Sequence, residues 1–315
     1  SEIGFGCWAI GGPSEASGTA LGWGRTSDED SLATIRRARD LGVTFFDTAD
    51  SYGFGRSESL LGIVLSRKRS DAIIATKVGN VRTSTGELKK DLSGQHIFHA
   101  VDGSLKRLRT DFIDLYQLHN PTMEELHRGE IQEAMSRLQE LGKIRCWGVS
   151  VTTPEEGLEV IRNGWGYTLQ VLYNVLNQAP ARELFPLAKE KGYGIIARVP
   201  LASGLLTGKF RPDTVFPRDD IRQNFLTPRR LEEALAKVDQ AKSIIGGTAR
   251  SLSDASLQFV LADDAVSTVI PGAKNVRQAE MNVGAAEGSL PADVVEKLRS
   301  RLGEYNFYQK HAIKI

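Results

Sequence analysis

Short runs of apolar and β-branched residues recur along this chain of 315 residues, and most are followed by a longer stretch with helical periodicity. The runs are almost continuous in apolar residues, as expected for strands buried on both faces of a parallel sheet. We therefore predict eight strands, over Ile3–Ile10, Val43–Thr48, Ala72–Val78, Phe112–His119, Ile144–Ser150, Thr168–Asn174, Gly194–Pro200 and Val266–Pro271.

The intervening stretches carry signals for the start and end of helices. Ser27 can cap a helix that opens with three acidic residues, which the helix dipole favours, and Gly42 ends it. Pro154 suits the first turn of another helix, and Gly142 and Gly192 are suited to C-terminal caps. These signals predict helices from Ser27 to about Leu41 and over His96–Arg109, Ile131–Leu141, Pro154–Ile161, Ala181–Lys191 and Asn275–Ala286.

Eight strand–helix units favour a (β/α)8 TIM barrel with eight parallel strands over an open doubly wound sheet. An open dinucleotide-binding sheet would place G-x-G-x-x-G between its first strand and helix. Gly4-Phe5-Gly6 lacks the third glycine, and after Gly53-Phe54-Gly55 that place is taken by Glu58. No low-complexity linker divides the chain, so we predict a single barrel domain over residues 1–315.

Two parts of the chain exceed what a barrel requires. Residues 202–227, after the seventh strand, lack clear periodicity, and a loop of this length in a compact domain is usually functional or disordered. Helical patterns at 228–245 and 253–262 precede the last strand, and a C-terminal helix is predicted over Pro291–Leu302. The residues after that helix, 304–308, could cover part of the barrel surface.

Charge and composition narrow the range of partners. Lys and Arg number 40 and Asp and Glu 39, and a net charge of +1 gives no reason to expect nucleic acid or a membrane as a partner. No apolar stretch approaches the roughly 20 residues of a membrane helix, and no signal peptide is visible. Cys7 and Cys146 lack metal-ligand spacing and read as small buried hydrophobes in a reducing compartment. We expect a cytoplasmic monomer without a metal.

Polar residues stand where the predicted strands end. Asp47 closes the second strand, Lys77 the third and His119 the fourth, and Tyr52 follows one short loop after the second. Active sites of such barrels lie at these carboxyl ends. Taken alone, the aspartate is more often a helix cap and the histidine a satisfied core residue. A lysine at the end of an apolar run needs a nearby anion, which Asp47 could supply, so the group as a whole favours catalysis.

These residues resemble the aldo-keto reductase family, most closely its bacterial and potassium-channel β-subunit-like branch. The similarity spans nearly the whole chain, with its motifs in the family's order. The matching segments are Asp47-Thr48-Ala49-Asp50-Ser51-Tyr52-Gly53-Phe54-Gly55-Arg56-Ser57-Glu58, Leu60-Leu61-Gly62, Lys77, His119, Trp147-Gly148-Val149-Ser150, Gln170, Tyr173-Asn174, Pro200-Leu201, Gly204-Leu205-Leu206-Thr207-Gly208-Lys209, Ile270-Pro271-Gly272-Ala273-Lys274 and Gln278.

The resemblance implies that Asp47, Tyr52, Lys77 and His119 form the catalytic tetrad of a carbonyl reductase. A free phenol, with a pKa of about 10, is a poor acid at neutral pH, and a nearby ammonium lowers that pKa by favouring phenolate. Lys77, held by Asp47, could thus make Tyr52 a workable general acid. His119 would donate a hydrogen bond to the carbonyl oxygen as negative charge develops there.

The resemblance also implies that NADPH is the cofactor, with NADH less favoured. Ser150 and Gln170 would hold the nicotinamide carboxamide, and Val151 stands where the family often has Asn. Arg198 replaces an aromatic residue that often stacks on the nicotinamide, and it could lie over the ring or reach toward phosphate.

Other residues would bind the phosphates and the adenine of the cofactor. Gln278 and Asn282 would contact the adenine, where Met281 replaces a common acidic residue and Glu280 is its neighbour. The phosphate-binding set comprises the turn after the seventh strand, basic side chains of the long segment and the start of the helix after the eighth strand. Its members are Pro200, Leu201, Ala202, Ser203, Lys209, Arg218 or Arg222, Gly272, Lys274 and Arg277. Standing alone, Lys274 and Arg277 would be read as solvated surface charges.

Trp8, Trp23 and Phe54 are candidate walls of a substrate pocket, together with residues 202–227, although Trp8 could equally be barrel packing. The leading hypothesis is reduction of a small aldehyde or ketone. A cofactor-sensing regulatory subunit on the same fold is the alternative. A barrel aldolase that uses Lys77 as a Schiff base would leave Tyr52 and Gln170 without a role.

Overall fold

The computed structural model describes residues 1–311 and 313, and its central feature is a sheet of eight parallel strands. The strands follow each other around the sheet in chain order. They are β1 (Phe5–Gly6), β2 (Phe45–Asp47), β3 (Ile73–Val78), β4 (Ile113–His119), β5 (Ile144–Ser150), β6 (Thr168–Leu172), β7 (Gly194–Arg198) and β8 (Val266–Val269).

The first and last strands meet and close the sheet. Parallel bridges join Ile3 to Val269 and Gly6 to Gly272. The Gly4 N–H donates to the Val269 carbonyl at 2.8 Å, and the Val269 N–H donates to the Glu2 carbonyl at 2.9 Å. Closure satisfies the backbone groups that a sheet edge would leave unpaired. The predicted eight-stranded parallel barrel is therefore confirmed.

Helices connect successive strands and surround the barrel. Ser27 caps the first of them by accepting the Asp30 N–H at 3.0 Å, and Thr153 forms a reciprocal capping box with Glu156. The helices are α1 (Asp28–Asp40), α2 (Arg56–Leu65), α3 (Gly94–Leu108), α4 (Met123–Leu126), α5 (Gly129–Glu140), α6 (Pro154–Arg162), α7 (Leu184–Lys191), α8 (Pro228–Ile245), α9 (Leu252–Leu261), α10 (Val276–Gly284), α11 (Ala292–Leu302) and α12 (Phe307–Lys310). Across the described residues, no helix has both the length and the apolar character to cross a membrane.

Two hairpins and a shortened first strand differ from the predictions. The predicted strand Ile3–Ile10 ends at Gly6, because Trp8 turns into a helical conformation and Ala9–Gly11 form a 3-10 turn. The buried apolar side chains of this turn have the same pattern as a strand. Antiparallel pairs Glu15–Ala16 with Thr19–Ala20, and Asn80–Arg82 with Leu88–Lys90, lie outside the barrel.

The segment 202–227 contains short ordered elements rather than a single irregular loop. Its 3-10 turns span Ala202–Thr207 and Ile221–Asn224. Further along, the predicted C-terminal helix is present as α11. After it, the Phe307 and Tyr308 side chains of α12 are buried against the barrel, as expected for a segment that covers the surface.

Side chains alternate across each strand, so one set faces the helices and the other faces the barrel interior. Near the middle of the strands the interior set is apolar, with Phe45, Ala75, Leu115, Ile196 and Ile270 in one cluster. Two residues further along β2 and β3, the same alternation places Asp47 and Lys77 at the carboxyl end. The fold therefore seals the interior and collects polar side chains at one mouth.

Gly62 marks a close contact between α2 and the end of α3. A β-carbon at Gly62 would lie 2.4 Å from the Arg107 carbonyl oxygen and 2.8 Å from the Leu108 carbonyl carbon. We expect Gly62→Ala to lower the free energy of unfolding by roughly 1–3 kcal/mol, because two helix backbones would have to separate. Chemical denaturation measures this. Gly129→Ala is the matched control, since a β-carbon there meets nothing within 4 Å. Equal stability of both variants would contradict the contact.

Candidate active site

A buried ion pair joins the ends of β2 and β3. The Lys77 ammonium donates to Asp47 Oδ2 at 2.7 Å and to the Thr48 carbonyl at 2.8 Å. Asp47 Oδ1 accepts hydrogen bonds from the Gln170 amide at 2.7 Å and from the Gln117 amide at 3.2 Å. Burial lowers the pKa of Lys77, but Asp47 and the Tyr52 hydroxyl offset this, so the pKa lies above its ordinary value. Lys77 therefore stays charged, next to the anion that the sequence led us to expect.

Tyr52 lies on the loop between β2 and α2, beside this pair. Its hydroxyl accepts a hydrogen bond from Lys77 Nζ at 3.2 Å, and the ammonium also lies 4.8 Å from the ring centroid. Burial raises the pKa of Tyr52 and Asp47 adds to this, whereas Lys77 and Arg198 lower it. The net direction is upward, so the expectation of a phenol made more acidic than usual was wrong for the protein alone. Lys77 acts in the predicted direction, but burial outweighs it.

His119 closes β4 on the other side of Tyr52. The two ring centroids lie 5.9 Å apart at 86°. Burial, together with the charges of Lys77, Lys90 and Arg198, holds the pKa of the imidazole well below its usual range. The side chain is therefore neutral at physiological pH, and it can both donate and accept one hydrogen bond. All four predicted tetrad residues thus meet at one mouth of the barrel.

The residues predicted to bind the nicotinamide lie on the next three strands, with Ser150 and Arg198 at the strand ends and Gln170 two residues before the end of β6. Gln170 is held by Asp47, as described above, and the Ser150 hydroxyl donates to Asn120 Oδ1 at 2.9 Å. The Asn120 amide therefore lies beside Ser150, close to the strand end where Val151 replaces the family's asparagine. The buried Arg198 guanidinium donates to the Val151 carbonyl at 3.1 Å and lies within electrostatic range of Tyr52.

The turn after β7 carries unusual backbone geometry. Val199, Ala202 and Ser203 have φ values of 56°, 47° and 57°. Residues other than glycine rarely adopt this left-handed backbone region. Such strain persists where the surroundings hold it in place, often at ligand sites. Pro200 and Leu201 complete the turn, and the Ser203 hydroxyl lies 2.8 Å from that of Tyr308.

Three basic side chains from two segments of the chain lie close together next to this turn. Lys209 and Arg222 come from the long segment, and Lys274 follows β8. Burial and the charge of Arg222 lower the pKa of Lys209. Burial also lowers the pKa of Lys274, with Arg222 and Lys209 acting in the same direction and Asp220 opposing them. Asp220 pairs with Arg222 at 2.5 Å.

Other predicted phosphate and adenine contacts are distributed around the start of α10. Gln278 Oε1 accepts the Lys274 N–H at 2.8 Å, and the Asn282 amide donates to the Gly272 carbonyl at 3.2 Å. Arg277 and Arg218 are exposed, and the structure places Arg222, rather than Arg218, beside Lys209 and Lys274. The neighbouring Glu280 is paired with Arg37 at 2.8 Å, and Met281 is exposed.

Aromatic side chains line one side of the mouth. Trp8 stacks on Tyr52 with centroids 5.7 Å apart, and its edge meets Trp23 at 5.1 Å. Trp8 follows the end of β1 instead of lying within a strand as predicted, so it faces the mouth and does not pack inside the barrel. Phe54, 36% exposed, is further out, with the Arg82 guanidinium 4.8 Å from its centroid. Among the described residues, no three His, Cys, Asp or Glu side chains are grouped as metal ligands.

No sequence pattern pointed to the half-buried acid Asp50. Its Oδ1 atom is buried and accepts no hydrogen bond within the described part of the chain. Burial and the nearby Glu58 carboxylate raise the pKa of Asp50 to about 8, against the smaller effect of Arg107. Glu58 itself accepts hydrogen bonds from Thr76 at 2.7 Å and Arg107 at 2.6 Å. Asp50 thus keeps its proton at neutral pH.

This proton makes stability depend on pH. The unfolded chain loses the Asp50 proton near its ordinary pKa of 3.8, whereas the folded chain keeps it up to about pH 8. The wild type therefore loses stability as pH rises between these values. We expect Asp50→Asn to remove this loss, so that the variant gains on the wild type by a few kcal/mol between about pH 4 and 8. Denaturant titrations over this range measure the difference, and a difference that does not change with pH would contradict the assignment.

Comparison with known proteins agrees with the fold and the motifs. A profile of the aldo/keto reductase family matches residues 2–302. The aldo-keto reductase yakc of Schizosaccharomyces pombe, whose name includes NADP(+), is 31% identical over 94% of this chain and 87% of its own. A probable voltage-gated potassium channel subunit beta of Oryza sativa subsp. japonica is 28% identical over 95% of this chain and 92% of its own.

Similarity extends to solved structures. The holo form of aldo-keto reductase AKR11C1 from Bacillus halodurans superposes with a TM-score of 0.80 and 31% sequence identity, covering 99% of this chain and 95% of that one. The resemblance predicted from the motifs, including its similarity to potassium-channel β subunits, is confirmed. The chain belongs to the aldo/keto reductase family.

Proposed function

We propose that this protein reduces an aldehyde or ketone to the alcohol, with NADPH as cofactor and Tyr52 as proton donor. The continuous buried contact from Asp47 through Lys77 to the Tyr52 hydroxyl carries the proposal. An ammonium held by a carboxylate and aimed at a phenol stabilises the phenolate that remains after proton transfer. This arrangement lies at the barrel mouth where such enzymes place their chemistry.

The residues present fit a cofactor with several phosphates. Lys209, Arg222 and Lys274 lie close enough to disfavour each other's charge, and an anion between them would relieve this repulsion. Lys274 at the start of α10 suits the 2′-phosphate that distinguishes NADPH from NADH. The strained turn from Val199 to Ser203 would contribute backbone donors for the pyrophosphate, and the similarity to an aldo-keto reductase named with NADP(+) supports the same choice.

Ser150, Gln170 and the adjacent Asn120 would hold the nicotinamide carboxamide, because they present hydroxyl and amide groups at neighbouring strand ends. Arg198 would reach the same region from β7. When bound, NADPH supplies the hydride that reduces the carbonyl carbon. Gln278 and Asn282 would contact the adenine from α10, as the sequence implied.

Tyr52 gives its proton to the carbonyl oxygen, and Lys77 stabilises the resulting phenolate across 3.2 Å. His119 donates a second hydrogen bond to that oxygen as negative charge develops. Trp8, Trp23 and Phe54 would line the substrate pocket, and aromatic walls next to two proton donors suit a small carbonyl compound. We expect the enzyme to act as a cytoplasmic monomer with one barrel domain over residues 1–315.

Tyr52→Phe tests the proton donor. We expect kcat for aldehyde reduction to fall by about 10²- to 10⁴-fold, the contribution of a positioned general acid, while the Kd for NADPH stays unchanged. Turnover is measured by NADPH consumption against a panel of aldehydes, and binding by fluorescence titration. Tyr167→Phe, at an exposed tyrosine just before β6, is the matched control and should retain full activity.

Carbonyl reduction by Tyr52→Phe at the wild-type rate would overturn the assignment. A wild type that binds NADPH tightly but turns over no carbonyl in the panel would instead favour the regulatory function. Borohydride trapping of a substrate on Lys77 would favour the aldolase.

Lys274→Met tests the choice of cofactor. We expect the KM for NADPH to rise by about 10- to 100-fold, because one charge-assisted contact to phosphate is lost, with little change for NADH. Steady-state kinetics with both cofactors measure this. The control Lys68→Met removes an exposed lysine that precedes β3, at the opposite end of the barrel. An equal rise in KM for NADPH and NADH would show that Lys274 does not contact the 2′-phosphate.

A further inference from the structure

The hairpin that follows β3 reaches the imidazole of His119. Asn80 begins the hairpin, and its Nδ2 lies 3.1 Å from His119 Nδ1. Lys90, at the far end of the hairpin, is the strand partner of Asn80. Neither residue belongs to the catalytic group that the sequence pointed to, and neither was singled out by its pattern.

Lys90 fixes the orientation of the Asn80 amide. Its ammonium donates to Asn80 Oδ1 at 2.6 Å and to the His119 carbonyl at 2.5 Å. An ammonium has donors only, so the amide must turn its oxygen toward Lys90. The Nδ2 group must then face the histidine. The amide oxygen and nitrogen of Asn80 look alike in coordinates, but the hydrogen bond from Lys90 determines that Nδ2, and not Oδ1, faces the imidazole ring.

The amide NH2 group also has donors only, so His119 Nδ1 must accept from it. A neutral imidazole that accepts at Nδ1 carries its proton on Nε2. We propose that Asn80 and Lys90 are positioning residues that hold His119 as the Nε2–H tautomer, with a donor rather than a lone pair available to the substrate oxygen. The consequence for catalysis depends on the function proposed above, whereas the tautomer itself does not.

The electrostatics of the mouth make this selection of one tautomer, here called the tautomer lock, necessary. An imidazolium would donate from both nitrogens and need no selection of tautomer. Burial and the cations Lys77, Lys90 and Arg198 hold the pKa of His119 well below its usual range, so the ring is neutral. A neutral ring in the other tautomer would turn a lone pair toward an oxygen that is gaining negative charge.

Nitrogen-15 NMR of protein labelled at histidine tests the tautomer directly. The chain has five histidines, and the signals missing from His119→Gln identify those of His119. We expect the wild type to be protonated at Nε2 and to accept at Nδ1. In Asn80→Asp the carboxylate can only accept, so we expect the proton to appear on Nδ1. A wild type protonated at Nδ1, or an unchanged proton in Asn80→Asp, would overturn the proposal.

The kcat values of Asn80 variants distinguish control of the His119 tautomer from a purely structural role of Asn80. Asp is nearly isosteric with Asn, so a structural contact would tolerate Asn80→Asp better than Asn80→Ala. We expect the opposite order at a pH where NMR shows the Asn80→Asp imidazole to be neutral. The Asp variant should lose about 10²- to 10³-fold in kcat, as when one donor to a developing oxyanion is lost. Asn80→Ala, which leaves the tautomer unselected, should lose only a few-fold, and a larger loss in Ala than in Asp would contradict the lock.

Two further comparisons test the tautomer lock independently of the proposed function. In a His119→Gln background we expect Asn80→Asp to change kcat by less than about twofold, because positioning acts only through the imidazole. Lys90→Met should populate both tautomers, whereas Lys89→Met, its exposed neighbour in the same strand, should leave the NMR pattern of the wild type. If no carbonyl is turned over, the proposed function is wrong and the kinetic comparison cannot be made. The NMR measurement still shows which nitrogen of His119 carries the proton.

Discussion

The buried pair of Asp47 and Lys77 is the interaction on which the rest of the mouth depends. An ammonium taken out of water costs several kcal/mol unless a partner and further hydrogen bonds compensate. Compensation here draws on four strands, because Asp47 on β2 also accepts from Gln117 on β4 and Gln170 on β6. The pair thus orients Gln170, which the proposed function places beside the nicotinamide, as well as Tyr52, its proposed proton donor.

Burial and positive charge together determine where protons reside at the mouth. Burial raises the pKa of Tyr52, and Lys77 only partly offsets this, so the phenol holds its proton. The same surroundings keep His119 neutral. Under the proposed function, the carbonyl oxygen therefore meets two neutral hydrogen-bond donors. The phenol releases its proton only when the oxygen becomes basic enough to take it, and Lys77 then pairs with the phenolate.

The sequence predicts the barrel well because buried parallel strands leave a simple apolar pattern. It also predicts that Asp47, Lys77 and His119 meet, since strand ends of a barrel share one mouth. It could not place the end of β1, because the buried turn after Gly6 is as apolar as a strand. Nor could it predict the pKa direction of Tyr52, which depends on how completely the phenol is buried. Asn80 and Lys90 escaped notice because their hairpin contacts His119 across 29 or more residues of chain.

The basic cluster of Lys209, Arg222 and Lys274, which we propose binds the cofactor phosphates, differs from the Asp47–Lys77 group in how its charges are balanced. Lys77 has a full carboxylate partner. Lys209 and Lys274 instead share the buried Asp220, which already pairs with Arg222, and Lys274 gains a smaller contribution from Asp219. The protein alone thus holds more positive charge in this region than it neutralises, at a cost in its own stability. A bound anion with several charges would recover that cost. Under the proposed function, relief of the repulsion between segments that lie far apart in sequence would therefore contribute to affinity for the cofactor.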